Sequence, residues 1–156
     1  MRSKVWAVVG SLVLGGLVCA TPRAYAKCDA TGVDAGDIQN ARAQVALNCN
    51  CAGSTNHGAF VKCAAQQAKA NLANQSCTGQ VVRCAARSTC GKPNFVTCCR
   101  TSATGQTKCS TKSGADKCKA PNGGSSCVAL GIPSCCDACS ATGCNASPSG
   151  AFLDAR

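Results

Sequence analysis

Cysteine is the residue type in this chain with the most chemistry to offer. The sequence contains 17 cysteines, and the densest group comprises Cys135, Cys136, Cys139 and Cys144. Within this group, Cys136 and Cys139 have the Cys-x-x-Cys spacing of a zinc knuckle or of a thiol redox pair. A zinc site needs a second pair of thiolate ligands, and a redox pair normally opens a helix within a βαβ unit. The spacing therefore favours structural disulfides, with metal binding and redox chemistry as alternatives.

His57 is the only histidine, and it lies at the start of a predicted helix. The chain has no glutamate, and the acidic partners considered for this ring are Asp34, Asp37, Asp116 and Asp137. None has triad spacing around it, no Gly-x-Ser-x-Gly elbow occurs, and glycoside hydrolysis wants two carboxylates in different environments. We therefore predict no enzyme, no catalytic residue and no cofactor. His57 is interpreted as a helix-start or packing residue, with ligand contact or catalysis as alternatives.

Basic residues are concentrated between positions 83 and 119, where eight Lys and Arg residues accompany a single acid, Asp116. Four of them are candidate contacts for an anionic partner: Arg83, Arg87, Lys92 and Arg100. Arg83 and Arg87 are one helical turn apart and would project together. A cell-surface polymer or a lipid head group would fit such a region. Nucleic acid is the least favoured partner because aromatic side chains for stacking are scarce. A solvated basic face without a partner is the alternative.

The first 26 residues have the order of a secretory signal. Arg2 and Lys4 precede an uncharged, largely apolar run over 5–20, and Ala24-Tyr25-Ala26 supplies a small-residue cleavage site. The run is shorter than the roughly 20 residues that a membrane span needs. We expect cleavage after Ala26 and no membrane span thereafter, with a retained anchor or a lipid-modified Cys19 as alternatives.

Cleavage there would leave 16 cysteines, an even number that permits complete pairing. The disulfide candidates are Cys28, Cys49, Cys51, Cys63, Cys77, Cys84, Cys90, Cys98, Cys99, Cys109, Cys118, Cys127, Cys135, Cys136, Cys139 and Cys144. Val, Ile, Leu and Phe make up only about 12% of residues 27–156. Chains with less than roughly 20% of these residues usually cannot bury enough surface to fold. Disulfides must replace much of the missing apolar core, and they persist in oxidising compartments. The predicted location is secreted or periplasmic.

Three short helices are predicted in the N-terminal half. The first covers 38–49, where apolar and cysteine positions share one face, with Asp37 placed to cap its first turn. The second begins after Asn56, a good N-cap residue, and has the apolar spacing i, i+3, i+4, i+7. The third covers 77–90 and is ended by Gly91.

After position 91, short extended runs broken by Gly, Pro, Asn and Ser predict strands and loops. Segments 95–100 and 106–111 flank the turn 102–105 and indicate a β-hairpin. Residues 112–126 are predicted to be loop. The fold class is thus small and disulfide-rich, with three short α-helices followed by a β-hairpin and loops. The expected organisation is a signal at 1–26, a helical cysteine-linked region at 27–91, a hairpin and loop region at 92–144 in the same domain, and a flexible tail at 145–156.

Two cysteine pairs repeat a spacing. Cys98-Cys99 and Cys135-Cys136 each follow another cysteine after seven residues, with a proline inside each interval. Neighbouring side chains of an extended segment point to opposite faces. We therefore predict that each pair tethers its strand to two different partners, unless the repeat is a chance spacing.

The segment Asn56-His57-Gly58-Ala59-Phe60-Val61-Lys62-Cys63 resembles a stretch in uncharacterised cysteine-rich proteins exported by bacteria, in which Asn-His-Gly, an aromatic residue, Val and Cys recur in this order. The resemblance covers about 49–90. It implies export and a helical cysteine-linked module, and it brings no activity with it. The expectation is a non-enzymatic binding or structural module. The alternative is a cationic effector or inhibitor that acts on an anionic surface or on another exported protein.

Overall fold

The computed structural model describes residues 26–145 of the chain. The expected signal, apart from its last residue, and the expected tail, apart from its first residue, lie outside the described residues. Within them, a helical half precedes a β-rich half, as predicted for a small disulfide-rich fold. No helix in this part of the chain has both the length and the apolar character needed to cross a membrane.

All three predicted helices are present: α1 at Ala35–Asn48, α2 at His57–Asn71 and α3 at Thr78–Ala86. The start of α2 is confirmed to the residue. Asn56 occupies the N-cap with extended backbone, and its side chain accepts a hydrogen bond of 2.8 Å from the backbone N–H of Ala59. This bond satisfies one of the amide groups that a helix N-terminus leaves unpaired.

The predicted start of α1 is wrong by three residues, and Asp37 is not its cap. Asp34 holds the N-cap position without a side-chain capping bond. Its carboxylate instead accepts hydrogen bonds from the backbone N–H of Asp29 and from the side chain of Asn74. Asp37 lies in the first turn, where a negative charge interacts favourably with the helix dipole.

The third helix is shorter than predicted. A 3₁₀ turn at Gln75–Cys77 leads into α3, and the chain leaves the helix after Ala86. The cause is tertiary, because Thr89 N–H donates to the Pro133 carbonyl at 2.9 Å and Cys135 N–H donates to the Arg87 carbonyl at 3.1 Å. Gly91 then turns the chain with φ of 68°, and a Cβ atom there would lie 2.4 Å from the carbonyl carbon of Asn56. Only glycine fits this close approach.

The predicted hairpin is confirmed as β1 at Val96–Thr101 and β2 at Thr107–Lys112. A third strand, β3 at Ser125–Ala129, pairs with the other edge of β1, and the antiparallel order is β2-β1-β3. The predicted loop over 112–126 therefore ends too late, and it contains a 3₁₀ turn at Ala115–Lys117. The start of β3 carries two serines and no strand pattern, so its conformation depends on pairing with β1.

The C-terminal segment forms a short helix, α4 at Cys135–Ala138, and then a two-stranded ribbon of β4 at Cys139–Ser140 and β5 at Gly143–Cys144. The expectation of an extended segment at Cys135-Cys136 is therefore wrong. Each vicinal pair nevertheless bonds to two separate elements. In β1 the two cysteines point to opposite faces of the sheet, and in α4 neighbouring side chains diverge around the helix axis.

The structure pairs all 16 candidate cysteines into eight disulfides. They are Cys28–Cys77, Cys49–Cys63, Cys51–Cys90, Cys84–Cys136, Cys98–Cys118, Cys99–Cys139, Cys109–Cys135 and Cys127–Cys144. Three bonds lie within 27–91 and four lie within 92–144. Among the described residues, Cys84–Cys136 is the one covalent link between the two halves.

Three of the disulfides form a row across the sheet. Cys109, Cys99 and Cys127 stand side by side on β2, β1 and β3, because Cys99 pairs in register with both others. Their partners follow in the same order along the C-terminal segment: Cys135, Cys139 and Cys144. We call these three bonds the disulfide row. It fixes the C-terminal segment to one face of the sheet.

The apolar cores are small. The helical half buries five large apolar side chains, and the rest of its buried cluster is alanine and cysteine. Those five are Ile38, Val45, Phe60, Leu72 and Val81. The β half buries only Cys99, Ala129 and Ala138 in its cluster, with partly buried cysteines around them. Covalent cross-links therefore carry a large share of the restraint on the chain.

Replacing both Cys84 and Cys136 with serine should uncouple the two halves. Their bond closes a loop of 52 residues, for which chain entropy predicts a loss of about 4 kcal/mol of unfolding free energy. Urea unfolding followed by circular dichroism should show two transitions in place of one.

The matched control is the double substitution Cys98→Ser and Cys118→Ser, which removes a bond inside the β half. It should lower stability and keep one transition. A single unshifted transition in the Cys84→Ser, Cys136→Ser variant would contradict a linking role for that disulfide.

Candidate functional site

A half-open cleft lies between α1 and α3. Both helices pack along α2, whereas they make few contacts with each other. Small residues such as Ala64 and Ala68 on the buried face of α2 permit this close approach. The space that remains between α1 and α3 is a cavity of about 340 Å³. Small-molecule sites commonly occupy about 300 to 1,000 Å³.

Two helical stripes form the facing walls of this cleft. From α1 come Arg42, Val45, Ala46 and Cys49, and from α3 and its end come Val81, Cys84, Ala85 and Ser88. Both sets have the spacing i, i+3, i+4, i+7 that places residues on one face of a helix. Phe60 of α2 contributes an aromatic surface, and the segment around Pro133 and Ser134 closes one side. The lining is predominantly apolar.

Disulfides hold the walls of the cleft at fixed separations. Cys49–Cys63 joins the end of α1 to α2, and Cys51–Cys90 joins the segments that follow α1 and α3. Cys84–Cys136 joins α3 to α4. Because one or both cysteines of every one of these bonds line the cleft, the space is shaped before any ligand enters. Such preorganisation lowers the entropic cost of binding.

One ion pair spans the mouth of the cleft. The guanidinium of Arg42 on α1 donates a hydrogen bond to the carboxylate of Asp137 on α4. The Arg42 side chain is only 18% exposed, whereas the Asp137 side chain is 52% exposed. The cation therefore belongs to the wall of the cleft, and its partner belongs to the outer rim.

Cys136 and Cys139 are not bonded to each other. Cys136 pairs with Cys84 and Cys139 pairs with Cys99, so their spacing does not form the closed pair of a thiol oxidoreductase. In three groups of residues, the possible metal-ligand atoms of the group lie within 4.8 Å of one another. The groups are Cys99, Cys127 and Cys144; Cys99, Cys109 and Cys139; and Cys28, Asp34 and Cys77. Every sulfur in these groups is oxidised in a disulfide and lacks the thiolate charge that binds a metal.

The ring of His57 joins the start of α2 to the end of α3. Its Nδ1 lies 2.9 Å from the carbonyl oxygen of Cys90, and its Nε2 lies 3.1 Å from the carbonyl oxygen of Ala86. Both partners are acceptors, so a ring protonated on both nitrogens donates to both and a neutral ring donates to one. Within the described residues, no serine or aspartate is hydrogen-bonded to the ring. Both ring nitrogens thus take part in packing contacts between α2 and the end of α3.

The four predicted anion contacts have different surroundings. Arg83 is exposed on α3, whereas Arg87 donates a hydrogen bond of 2.7 Å to the Cys109 carbonyl in the hairpin. Lys92 lies over the ring of Phe95, at 5.8 Å from its centroid, and partial burial lowers its pKa. Arg87 and Arg100 line one shallow depression beside β2.

Lys108 joins Arg100 to give a basic surface on the hairpin. The two residues are direct cross-strand neighbours on β1 and β2, so their side chains stand on one face of the sheet. Like charges in this position destabilise a sheet. In addition, Arg100 Nε is a buried donor with no hydrogen-bond partner among the described residues. We call Arg100 and Lys108 the hairpin cation pair.

Sequence reasoning missed three residues: Arg42, Asp137 as its partner, and Lys108 as the neighbour of Arg100. Arg42 follows the buried Ala41 and precedes the buried Val45 by three residues in α1. A basic residue beside the apolar face of a predicted helix was the sequence signal that could have identified it. The register that aligns Lys108 follows from the length of the hairpin turn. The contact with Asp137 crosses 95 positions of sequence and leaves no local signal.

Comparison with known proteins finds no matching family model, no similar curated protein and no similar solved structure. The cleft and the hairpin cation pair are two features of the described chain whose geometry suits a ligand. Both lie on elements that are tied to the rest of the fold by disulfides.

Replacing His57 with alanine should lower the unfolding free energy by about 1 to 3 kcal/mol, because the half-buried contact with the Cys90 carbonyl and the exposed contact with the Ala86 carbonyl are both lost. Urea unfolding of the oxidised protein measures this loss. The exposed Lys62 on the same helix supplies the control, Lys62→Ala, since its side chain makes no hydrogen bond to any other described residue. Equal stabilities of the two variants would show that the ring does not link α2 to α3.

Proposed function

We propose that this chain is a secreted or periplasmic binding module without enzymatic activity, and that the cleft between α1 and α3 holds a small ligand that is largely apolar. The supporting observation is a single one: an apolar cavity of about 340 Å³ with walls cross-linked by disulfides. An apolar cavity of about 150 Å³ is enough to bind benzene. The cleft is therefore large enough for a ligand of about ten to fifteen carbon and other heavy atoms.

The oxidised state of the cysteines supports the export part of this proposal. Disulfides in this number persist where the surroundings are oxidising, and the N-terminal segment has the pattern of a secretory signal. The absence of Glu and the use of the His57 ring in packing favour binding over catalysis. A ligand in a preorganised apolar site gains from desolvation without a large cost for ordering the protein.

The cleft should bind the neutral fluorescent probe N-phenyl-1-naphthylamine, and Ala46→Phe should weaken this binding by about tenfold or more, a loss of roughly 1.4 kcal/mol. Ala46 is an exposed alanine that lines the cleft, so a phenylalanine there fills ligand space without disturbing the buried core. Titration of probe fluorescence measures the affinity, and the protein contributes little background because its only Trp and Tyr precede the expected cleavage site.

The control is Ala70→Phe, which places the same side chain at an exposed alanine of α2 outside the cleft lining. Its affinity should match that of the unaltered protein. Equal weakening in both variants, or no probe binding at all, would overturn the proposed site. A chain ending at Asn145 should bind the probe equally well, whereas a higher affinity would identify residues 146–156 as the occupant and contradict a small-molecule ligand.

The second candidate is a cationic effector or inhibitor that acts on an anionic surface or on another exported protein. The observation that favours it is the hairpin cation pair, because two like charges are adjacent there and Arg100 Nε has no hydrogen-bond partner among the described residues. No carboxylate is among the described residues that line the depressions beside Arg100 and Lys108. An anionic partner would relieve the repulsion between the two side chains.

The double substitution Arg100→Gln and Lys108→Gln should reduce binding to vesicles containing phosphatidylglycerol by about tenfold or more, since each basic residue near an anionic surface contributes about 1 kcal/mol. Cosedimentation at low salt measures the binding, which modest salt should abolish. Lys62→Gln with Lys69→Gln is the control, because it removes the same charge from exposed positions on α2. Equal losses in both variants would show that only net charge matters and would contradict a specific surface.

A further inference from the structure

Arg42 is an unusual wall residue for an apolar cleft. It belongs to the same helical stripe as Val45 and Ala46, and its side chain is largely buried against this wall. Among the described residues, its one hydrogen-bonded partner is the Asp137 carboxylate. A guanidinium has five donors and binds carboxylates in a two-pronged geometry. Most of its hydrogen-bonding capacity is therefore not used by Asp137.

The partner of Arg42 is easier to displace than Arg42 itself. The Asp137 side chain is 52% exposed on the rim, so it regains water when it turns away from the mouth. Ion pairs that involve an exposed group contribute little net stability. A ligand that brings its own carboxylate can therefore take over Arg42 at small cost, and its apolar part adds the gain from burial in the cleft.

We propose that the ligand of the cleft is a small amphipathic monocarboxylate, with its apolar tail between α1 and α3 and its carboxylate on Arg42 in place of Asp137. This inference rests on the proposed function of the cleft and adds the chemical class of the ligand. A tail of about ten carbons matches the cavity by the volume comparison with benzene. A neutral ligand leaves the ion pair intact, and an amine is repelled by Arg42.

Displacement of N-phenyl-1-naphthylamine by decanoate, decanol and decylamine tests this inference on the oxidised protein. All three share one tail, so differences among them report the head group. Decanoate should bind about tenfold or more tightly than decanol, as expected for a charge-assisted hydrogen-bonded pair, and decylamine should bind most weakly. Equal affinities would overturn the carboxylate assignment while leaving the cleft as a site. Failure of all three to displace the probe would overturn the proposed function itself.

Two substitutions separate the roles of the ion pair. Arg42→Gln should remove the preference for decanoate and leave decanol affinity within about twofold, because only the head-group contact is lost. Asp137→Asn should raise decanoate affinity severalfold, because a competing carboxylate is removed. Arg83→Gln is the matched control, since it removes a charge from α3 outside the cleft lining.

The Asp137→Asn variant keeps the inference testable even where Arg42→Gln weakens the fold. A decanoate affinity that falls in Asp137→Asn would show that Asp137 holds Arg42 in place for the ligand, and would overturn displacement. A parallel loss of decanoate and decanol affinity in a folded Arg42→Gln protein would show a structural role for Arg42 and would also overturn the inference. Retained helical circular dichroism identifies the folded variants.

Discussion

Cross-linking by disulfides is the constraint on which the rest of this structure depends. The helical half buries few large apolar side chains, and the β half buries almost none. Side chains as small as alanine and cysteine gain little free energy when they leave water. Eight covalent links compensate because they restrict the unfolded chain, whose conformational entropy otherwise favours unfolding. The fold can therefore dispense with a conventional core, and its interior residues are free to remain small.

Small interior residues also account for the cleft. Helices α1 and α3 lie close to α2 because alanines lie at the contacts. Apart from Arg42, no side chain with which the two outer helices line the space between them is larger than valine. In a protein held by packing alone, such a space would collapse or cost stability. Here the bonds at Cys49, Cys51 and Cys84 hold the walls apart. The small side chains that weaken the core thus also leave space for a ligand, and Arg42 lies in the wall of that space.

Local patterns predicted the parts of the fold that local forces determine. The apolar periodicity and the Asn56 cap placed α2 correctly, and the turn residues placed the hairpin. The end of α3 and the strand β3 were missed because hydrogen bonds to distant segments decide them, as with Thr89 and Pro133. The pairing of the cysteines is equally non-local. In the sequence, Arg42 cannot be told from a solvated basic residue on an amphipathic helix, because its partner Asp137 lies on α4. The Cys84–Cys136 bond fixes the position of α4 beside α3.

The disulfide row lets the β half keep its strands together after a cut in the backbone, which its hydrogen bonds alone would not do. Each strand of the sheet is joined separately to the segment from Cys135 to Cys144, and Cys98–Cys118 ties the intervening loop back to β1. Exposed residues such as Thr104 in the turn and Asn122 in the long loop are the points that a protease reaches first. A cut at either point would leave fragments that are still covalently connected and still in register. The molecule can therefore be cut at these points without its parts separating, which suits a protein whose disulfides need oxidising surroundings.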